Sequence, residues 1–276
     1  MKTISNTLCI SDLDGTLLNS DAAITAESAE IINNAISRGI CFTFATARSV
    51  YSAKPITSAL NINVPCILMN GVSVYDLKTD TYIKNEYIPP EASAEIIDAF
   101  KANNLECFMY KIHGGVLTCY YTEITERVMK SFAEVRKMKY KKPFVQCCDL
   151  ADEADGETVY FTITDEYERL LPVKVAIESI EGVDFAFYED TYTGKWYLEI
   201  FSAKASKKNG IGFLCREYGF DRVISFGDNL NDLPMFERSD VKVAVSNAKE
   251  EVKSAADFIT LSNNENGVAE WLKNNI

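Results

Sequence analysis

The run Thr7-Leu8-Cys9-Ile10 leads straight into Ser11-Asp12-Leu13-Asp14-Gly15-Thr16. The four leading residues are apolar or β-compatible, and a Gly turn closes the run, so it reads as a short buried strand. Asp12 and Asp14 then stand at i and i+2 just past the strand end. In open α/β sheets, ligands bind at that carboxyl edge. Two carboxylates this close repel each other and raise each other's pKa unless a cation lies between them. A hard divalent ion such as Mg2+ relieves the conflict, because it takes oxygen ligands and keeps room for water and substrate phosphate. On its own the pair also reads as a turn, since Asp and Thr cap helices. What lies downstream decides between the two.

Ile24 to Ser37 carries helical spacing in Ile24, Ile31, Ile32, Ala35 and Ile36, with Thr25 as a start and Gly39 as a stop. A second apolar strand, Ile40 to Ala45, ends in Thr46-Ala47-Arg48. A hydroxyl and a guanidinium at such an end can both bind phosphate oxygens, although a capping Thr and a surface Arg explain them equally simply. A third strand, Cys66 to Met69, ends at Asn70-Gly71. Continuous rather than alternating apolar strands separated by helices predict a parallel sheet covered on both faces.

From about Tyr82 the texture changes. A helix at Glu91–Ala102 is followed by strands at Glu106–Tyr110 and Gly115–Tyr121 and a helix at Ile124–Arg136. An alternating, half-buried strand at Thr158–Thr164, a helix at Glu166–Ser179 and strands at Val183–Tyr188 and Lys195–Ile200 complete an α+β module. The first texture returns with Ser206-Lys207-Lys208, a helix, and the strand Arg222–Phe226. That strand opens into Gly227-Asp228-Asn229-Leu230-Asn231-Asp232, a second acidic loop at a strand's carboxyl end. The expected organisation is one Rossmann-like core from residues 1–82 and 199–276, with residues 83–198 inserted as an α/β cap.

Composition narrows the function. The chain has 276 residues, 47% of them apolar, enough for roughly two domains each with a core. A net charge of −12 with no basic tail argues against a nucleic-acid partner. The eight cysteines show no C-x-x-C or zinc-type spacing. Cys147-Cys148 reads as idle thiols. There is no signal-peptide core and no run of membrane-span length, so the expectation is a reduced, cytoplasmic protein, monomeric or a small homo-oligomer, that touches no membrane. The basic run Arg136–Lys142 reads as a solvated helix end and loop. His113, the single histidine, sits in an expected turn without a visible partner and is given no role.

In a parallel sheet, the loops at Asp12, Thr46, Lys207 and Asp228 converge on one edge. Four or five carboxylates gathered there are costly without a compensating cation. With a metal and a lysine to neutralise phosphate, a carboxylate can attack phosphorus. On this reading Asp12 is the nucleophile, and Asp14 protonates the leaving oxygen and later activates water.

The motifs Asp12–Thr16, Ala45-Thr46-Ala47-Arg48, Ser206-Lys207 and Gly227–Asp232 occur in this order, each behind a buried strand. Met69-Asn70-Gly71 and Asn264-Glu265-Asn266-Gly267-Val268-Ala269 accompany them. Together they make the chain resemble the haloacid dehalogenase-like superfamily, in particular the Cof-type phosphatases with a large inserted cap. The likeness spans the core; the cap matches only in size and placement. The resemblance implies a Mg2+-dependent phosphatase acting on small phosphomonoesters, such as sugar phosphates or phosphorylated cofactors, through an aspartyl-phosphate. It implies Asp12 as nucleophile and Asp14 as acid/base. It implies Mg2+ held by Asp12, the backbone carbonyl of Asp14 and Asp228, with Asp232 beside them. Thr46, Ala47, Lys207 and Asn231 match positions that hold phosphoryl oxygens, and Arg48 and Asn70 match substrate-proximal ones. In such enzymes the cap closes as a lid and sets substrate choice.

Two departures stand out. Ala47 replaces a usual Gly, and Lys208 replaces a Gly after Lys207, so Lys204 and Lys208 rival Lys207 as the phosphate-binding cation. The spacing Glu199-Ile200-Phe201-Ser202-Ala203-Lys204-Ala205-Ser206-Lys207 favours Lys207. A phosphomutase or phosphotransferase using the same intermediate, and a non-catalytic phospho-ligand sensor on the same fold, are the competing readings. The intact carboxylates and lysine speak against the sensor.

Overall fold

A computed structural model describes residues 6–189 and 194–276; Lys2, the lone cation ahead of the first strand, lies outside them. The chain forms two compact units, residues 1–84 with 206–276 and residues 85–205.

The first unit begins with β1 (Thr7–Ser11), α1 (Ala26–Ser37), β2 (Cys41–Phe44), α2 (Val50–Ile56), β3 (Cys66–Leu68), β4 (Ser73–Asp76) and β5 (Thr81–Asn85). Thr25 caps α1 by accepting from the Ser28 amide at 3.0 Å. Ala29, Ile32 and Ala35, at helical spacing, form its buried side.

The second unit holds α3 (Pro90–Ala102), β6 (Phe108–His113), β7 (Val116–Tyr121), α4 (Arg127–Tyr140), β8 (Phe144–Gln146), β9 (Thr158–Asp165), α5 (Tyr167–Ile177), β10 (Val183–Glu189) and β11 (Trp196–Ser202). The first unit resumes with α6 (Lys207–Tyr218), β12 (Arg222–Gly227), α7 (Leu233–Phe236), β13 (Val241–Val245), α8 (Glu250–Ala255), β14 (Phe258–Thr260) and α9 (Gly267–Asn275).

In the first unit the sheet order is β14-β13-β12-β1-β2, with every pairing parallel. Cys9 stands opposite Ile224 on one side and Phe42 on the other. Leu8, Cys9 and Ile10 point alternately to the two faces of the sheet and are all fully buried, so both faces are covered at β1. One expectation is corrected here. The third apolar run joins the parallel ladder only through the single parallel bridge Ala45–Ile67; its main pairing is antiparallel, with β4, in a sheet ordered β3-β4-β5. The turn at Met69–Gly71 sends the chain straight back, which a crossover helix would not allow.

The second unit is a six-stranded sheet, β10-β11-β9-β6-β7-β8, antiparallel except between β7 and β8. Strand β11 pairs along its length with β10 and β9, so this unit continues past 198 to Ala205. Two further expectations change. Strand β9 is buried at every position rather than on alternate ones, because its threonines are covered as well as its apolar residues. Helix α4 runs to Tyr140, so most of the basic run is helix, and Phe132 stacks on Phe108 with ring centroids 5.6 Å apart. Just beyond α4, Lys142 is buried with its Nζ 4.0 Å from the Tyr110 ring centroid. Burial pushes its ammonium pKa down to about 7, the Cys119 thiol acting against this and Arg136 with it.

The two ends of this unit meet within it. The Gly182 carbonyl accepts from the Ala203 amide at 3.0 Å, and Gly182 lies against Pro89. His113 ends β6, and its Nδ1 is 2.5 Å from Glu157 Oε2, a partner the sequence did not reveal. Cys148 is exposed and Cys147 half-buried, both as free thiols. Among the described residues, no helix is long and apolar enough to cross a membrane.

Candidate active site

Strand β1 delivers Asp12 at its carboxyl end, where the Asp12 amide donates to the Phe226 carbonyl at 2.9 Å and the side chain is nearly buried. The chain then turns tightly, with the amides of Leu17 and Leu18 both donating to the Leu13 carbonyl. Gly15 takes φ +80°, and a Cβ there would fall 2.5 Å from Asp228 Oδ2. Only glycine lets the two acidic loops approach this closely. Thr16 Oγ1 completes the junction by donating to Asp228 Oδ1 at 2.7 Å.

Strand β12, adjacent to β1, delivers the second loop. The amides of Asp228 and Asn229 donate to Asp232 Oδ2 at 2.9 and 3.1 Å, which turns this fully buried carboxylate inward. Lys207 is the first residue of α6, capped by Ser206. Its Nζ is 2.5 Å from Asp12 Oδ1 and 2.7 Å from Asp232 Oδ1, and the side chain is only 1% exposed. Lys204 is exposed, and Lys208 pairs with Glu237 at 2.7 Å. Among the three rival lysines, it is Lys207 that stands with the carboxylates.

Oxygens of Asp12, Asp228 and Asp232 lie within 4.8 Å of one another. Three carboxylates share one ammonium in a buried site, so negative charge is in excess. Desolvation drives the Asp12 carboxyl well above its ordinary range; Lys207 opposes this, while Asp232 and Asp228 add to it. Desolvation likewise lifts Asp228 to about 6, with the Thr16 hydrogen bond opposing. At Lys207 burial works against the charge, but the two carboxylates outweigh it and its pKa is raised. An all-oxygen donor set with surplus negative charge fits a hard divalent cation, which would relieve the strain on Asp12 and Asp228 together.

The remaining expected residues are placed as follows. Thr46 is buried at the end of β2, its hydroxyl accepting from the Arg48 amide at 3.1 Å. Ala47 is exposed and is not among the residues of positive φ, so replacing the usual glycine strains nothing there. Asn231 Nδ2 reaches Asn70 Oδ1 at 3.3 Å. The Asp14 carboxylate does not join the other three: Arg48 holds it through Nε at 2.7 Å and a second nitrogen at 2.6 Å. A guanidinium fork two loops away is the preferred partner of a carboxylate, and its contact decides where Asp14 points.

Several supports went unread in the sequence. Thr16 belongs to the quoted motif, yet its hydroxyl role on Asp228 emerges only from the fold. Met69, Asn70 and Gly71 all have positive φ, and a Cβ on Gly71 would sit 2.2 Å from the Ser206 carbonyl oxygen. This turn therefore seats the start of α6, and with it Lys207. The Asn-Gly pair after an apolar run was the available signal. The late Asn-rich stretch is structural: Asn263 donates to the Leu18 carbonyl, and Asn266 meets Thr25 and Glu27.

A sequence profile of the haloacid dehalogenase-like hydrolases matches residues 9–272. The chain is 30% identical to a 5-amino-6-(5-phospho-D-ribitylamino)uracil phosphatase of Bacillus subtilis, over 96% of each chain. It is 24% identical to a pyridoxal phosphate phosphatase of Escherichia coli, over 95% of each chain. A crystal structure from Thermotoga maritima matches with a TM-score of 0.80 at 31% identity, over 97% of this chain and 96% of that one. A haloacid dehalogenase-like hydrolase from Bacteroides thetaiotaomicron matches in fold, with a TM-score of 0.81 at 24% identity over 98% and 99% of the two chains.

Proposed function

The chain belongs to the haloacid dehalogenase-like hydrolase family and is an enzyme of its phosphatase type, and we propose that it hydrolyses small phosphomonoesters with Mg2+ through an aspartyl-phosphate. The observation that carries this reading is the Asp12 carboxylate, held 2.5 Å from a buried lysine with two more carboxylates beside it. Asp12 and Asp228 would hold the Mg2+ through carboxylate oxygens and Asp14 through its backbone carbonyl, with Asp232 beside them. The bound ion would supply charge neutralisation at the phosphoryl group.

The chain's own groups divide the remaining work. An Asp12 carboxylate oxygen forms a bond to phosphorus as the bond to the ester oxygen breaks. Asp14 gives its proton to that departing oxygen. In the second half, Asp14 takes a proton from water as the water oxygen bonds to phosphorus, the Asp12–phosphorus bond breaks, and inorganic phosphate leaves. Lys207, the Thr46 hydroxyl, the Ala47 amide and Asn231 hold phosphoryl oxygens, donors and a cation set in advance where charge gathers. The named relatives act on a phosphorylated ribitylaminouracil and on pyridoxal phosphate, which supports sugar-like or cofactor-like monoesters as the substrate class. Eight free thiols, most of them buried in apolar surroundings, are in keeping with a cytoplasmic setting.

The test is phosphate release from a panel of phosphomonoesters, with and without Mg2+, by wild type and Asp12→Asn. Release that needs both the ion and Asp12 is expected. An Asp12→Asn enzyme that keeps wild-type turnover would rule the mechanism out. Transfer of the phosphoryl group to a second sugar phosphate without phosphate release would mark a mutase instead.

A further inference from the structure

We propose that Arg48 is the positioning residue for Asp14: its guanidinium fixes the heading of the carboxylate that serves the leaving oxygen. The inference rests on the phosphatase reading above and adds to it a residue through which proton delivery is controlled.

The contact is two-pronged, Nε to Oδ2 at 2.7 Å and a terminal nitrogen to Oδ1 at 2.6 Å. Such a fork sets both the place and the plane of a carboxylate, which a lysine's point charge does not. Asp14 needs this. Its side chain is 52% exposed, and it is absent from the cluster formed by Asp12, Asp228 and Asp232. Among the described residues, its side chain has hydrogen bonds to Arg48 alone.

Arg48 itself stands on firm ground. Its amide donates to Thr46 Oγ1 at 3.1 Å, and its carbonyl accepts from the Met69 amide at 3.1 Å. The Thr46 carbonyl accepts from the Asn70 amide at 2.9 Å. The loop after β2 is thus tied to the turn after β3 on both sides of Ala47. The pair braces that loop against the loop after β1, so Arg48 carries the position of the phosphate-binding threonine over to Asp14. A catalytic acid must lie within hydrogen-bond reach of the oxygen it serves, and small misplacements are costly. A carboxylate swinging in solvent would lose its effect on poor leaving groups first.

That dependence is the test. The ratio kcat/KM covers the steps through departure of the leaving group, so it isolates proton delivery from the later hydrolysis. It is measured for an alkyl phosphate, such as glycerol phosphate, and for p-nitrophenyl phosphate, whose phenolate leaves with little help. Arg48→Ala and Arg48→Lys are expected to lose at least about tenfold more on the alkyl ester than on the aryl one, within the usual range for general acid catalysis. Asp14→Asn should show the same discrimination, and adding Arg48→Ala to it should cost little more. Equal losses on both esters, or an additive double variant, would overturn the assignment and place Arg48 on substrate or structure.

A second readout does not need turnover. The Arg48 Nε–H resonance should shift clearly between wild type and Asp14→Asn, since the fork loses its charge partner. An unmoved resonance overturns the pair itself. A shifted resonance in a wild-type enzyme that releases no phosphate overturns the phosphatase reading instead, and proton delivery with it.

Discussion

Lys207 in the first unit and Lys142 in the second are both buried, yet they end up in opposite electrostatic states. Lys207 in the first unit faces Asp12 and Asp232, and their charge overcomes desolvation and raises its pKa. Lys142 in the second unit faces the Tyr110 ring and the Cys119 thiol, and desolvation pulls it down to about 7. Burial alone therefore does not set the charge of a lysine. What decides is whether ionised partners share the pocket, and Lys207 has them in excess while Lys142 has an aromatic face.

The sharpest way to break this contrast is Lys207→Met. It leaves three carboxylates together with no cation, and removing one member of a buried pair costs on the order of 3–5 kcal/mol. Phosphate release should fall on the order of 10²–10³-fold, as for loss of a charge-stabilising donor. Thermal melts and steady-state rates check both effects, and near-wild-type turnover would show that the ammonium is not needed.

Gly71→Ala tests the same lysine from outside the cluster. Its methyl would meet the Ser206 carbonyl at 2.2 Å, in a backbone at φ +105°, so either this turn or the start of α6 must move. A displacement near 1 Å can cost up to about 10²-fold in rate, and stability should drop by about 2–4 kcal/mol, as for a special backbone position. An enzyme with unchanged rate and melting point would show that the turn does not seat Lys207.

Lys142→Met addresses the other side of the comparison. The folded value of about 7 lies below the ordinary 10.5, so the unfolded chain holds this proton more tightly. Below pH 7 the penalty is fully present. Between about 7 and 10.5 the unfolded state binds more protons, and stability rises by up to about 1.4 kcal/mol per pH unit from this group. Urea unfolding should therefore find Lys142→Met more stable than wild type at pH 6, with the difference shrinking by pH 9. A difference independent of pH would contradict the depressed value.

The smallest effect belongs to Lys208→Ala. This lysine sits next to Lys207 in sequence but pairs with Glu237 in the open. Exposed pairs of this kind contribute about 0–1 kcal/mol, and phosphate release should be unchanged. A large loss of activity would return Lys208 to the site.

Neighbouring lysines with such different fates show where the sequence was readable. The run Leu8-Cys9-Ile10 read as a buried strand, and the motifs downstream placed the carboxylates after it at the sheet edge. Lys207 was distinguishable from Lys204 and Lys208 by its distance along the chain from the preceding strand. The Asp14–Arg48 fork was not readable, because it depends on the side-chain directions of two loops after neighbouring strands. Nor was the Gly15–Asp228 approach, which is a matter of tenths of an ångström. That β3 would touch the parallel sheet at one bridge and pair mainly with β4 was not readable, because three apolar residues carry no record of their pairing partner. Strand β9 looked alternating because threonine is polar on paper and yet packs well in a covered sheet.

Gly182, which touches Pro89 and accepts from Ala203, has a consequence for how such chains can diverge. The second unit fastens its own two ends together, and so closes as a cassette with two chain crossings. Recombination at those crossings can exchange one such cassette for another of different length or composition without re-threading the sheet that carries Asp12.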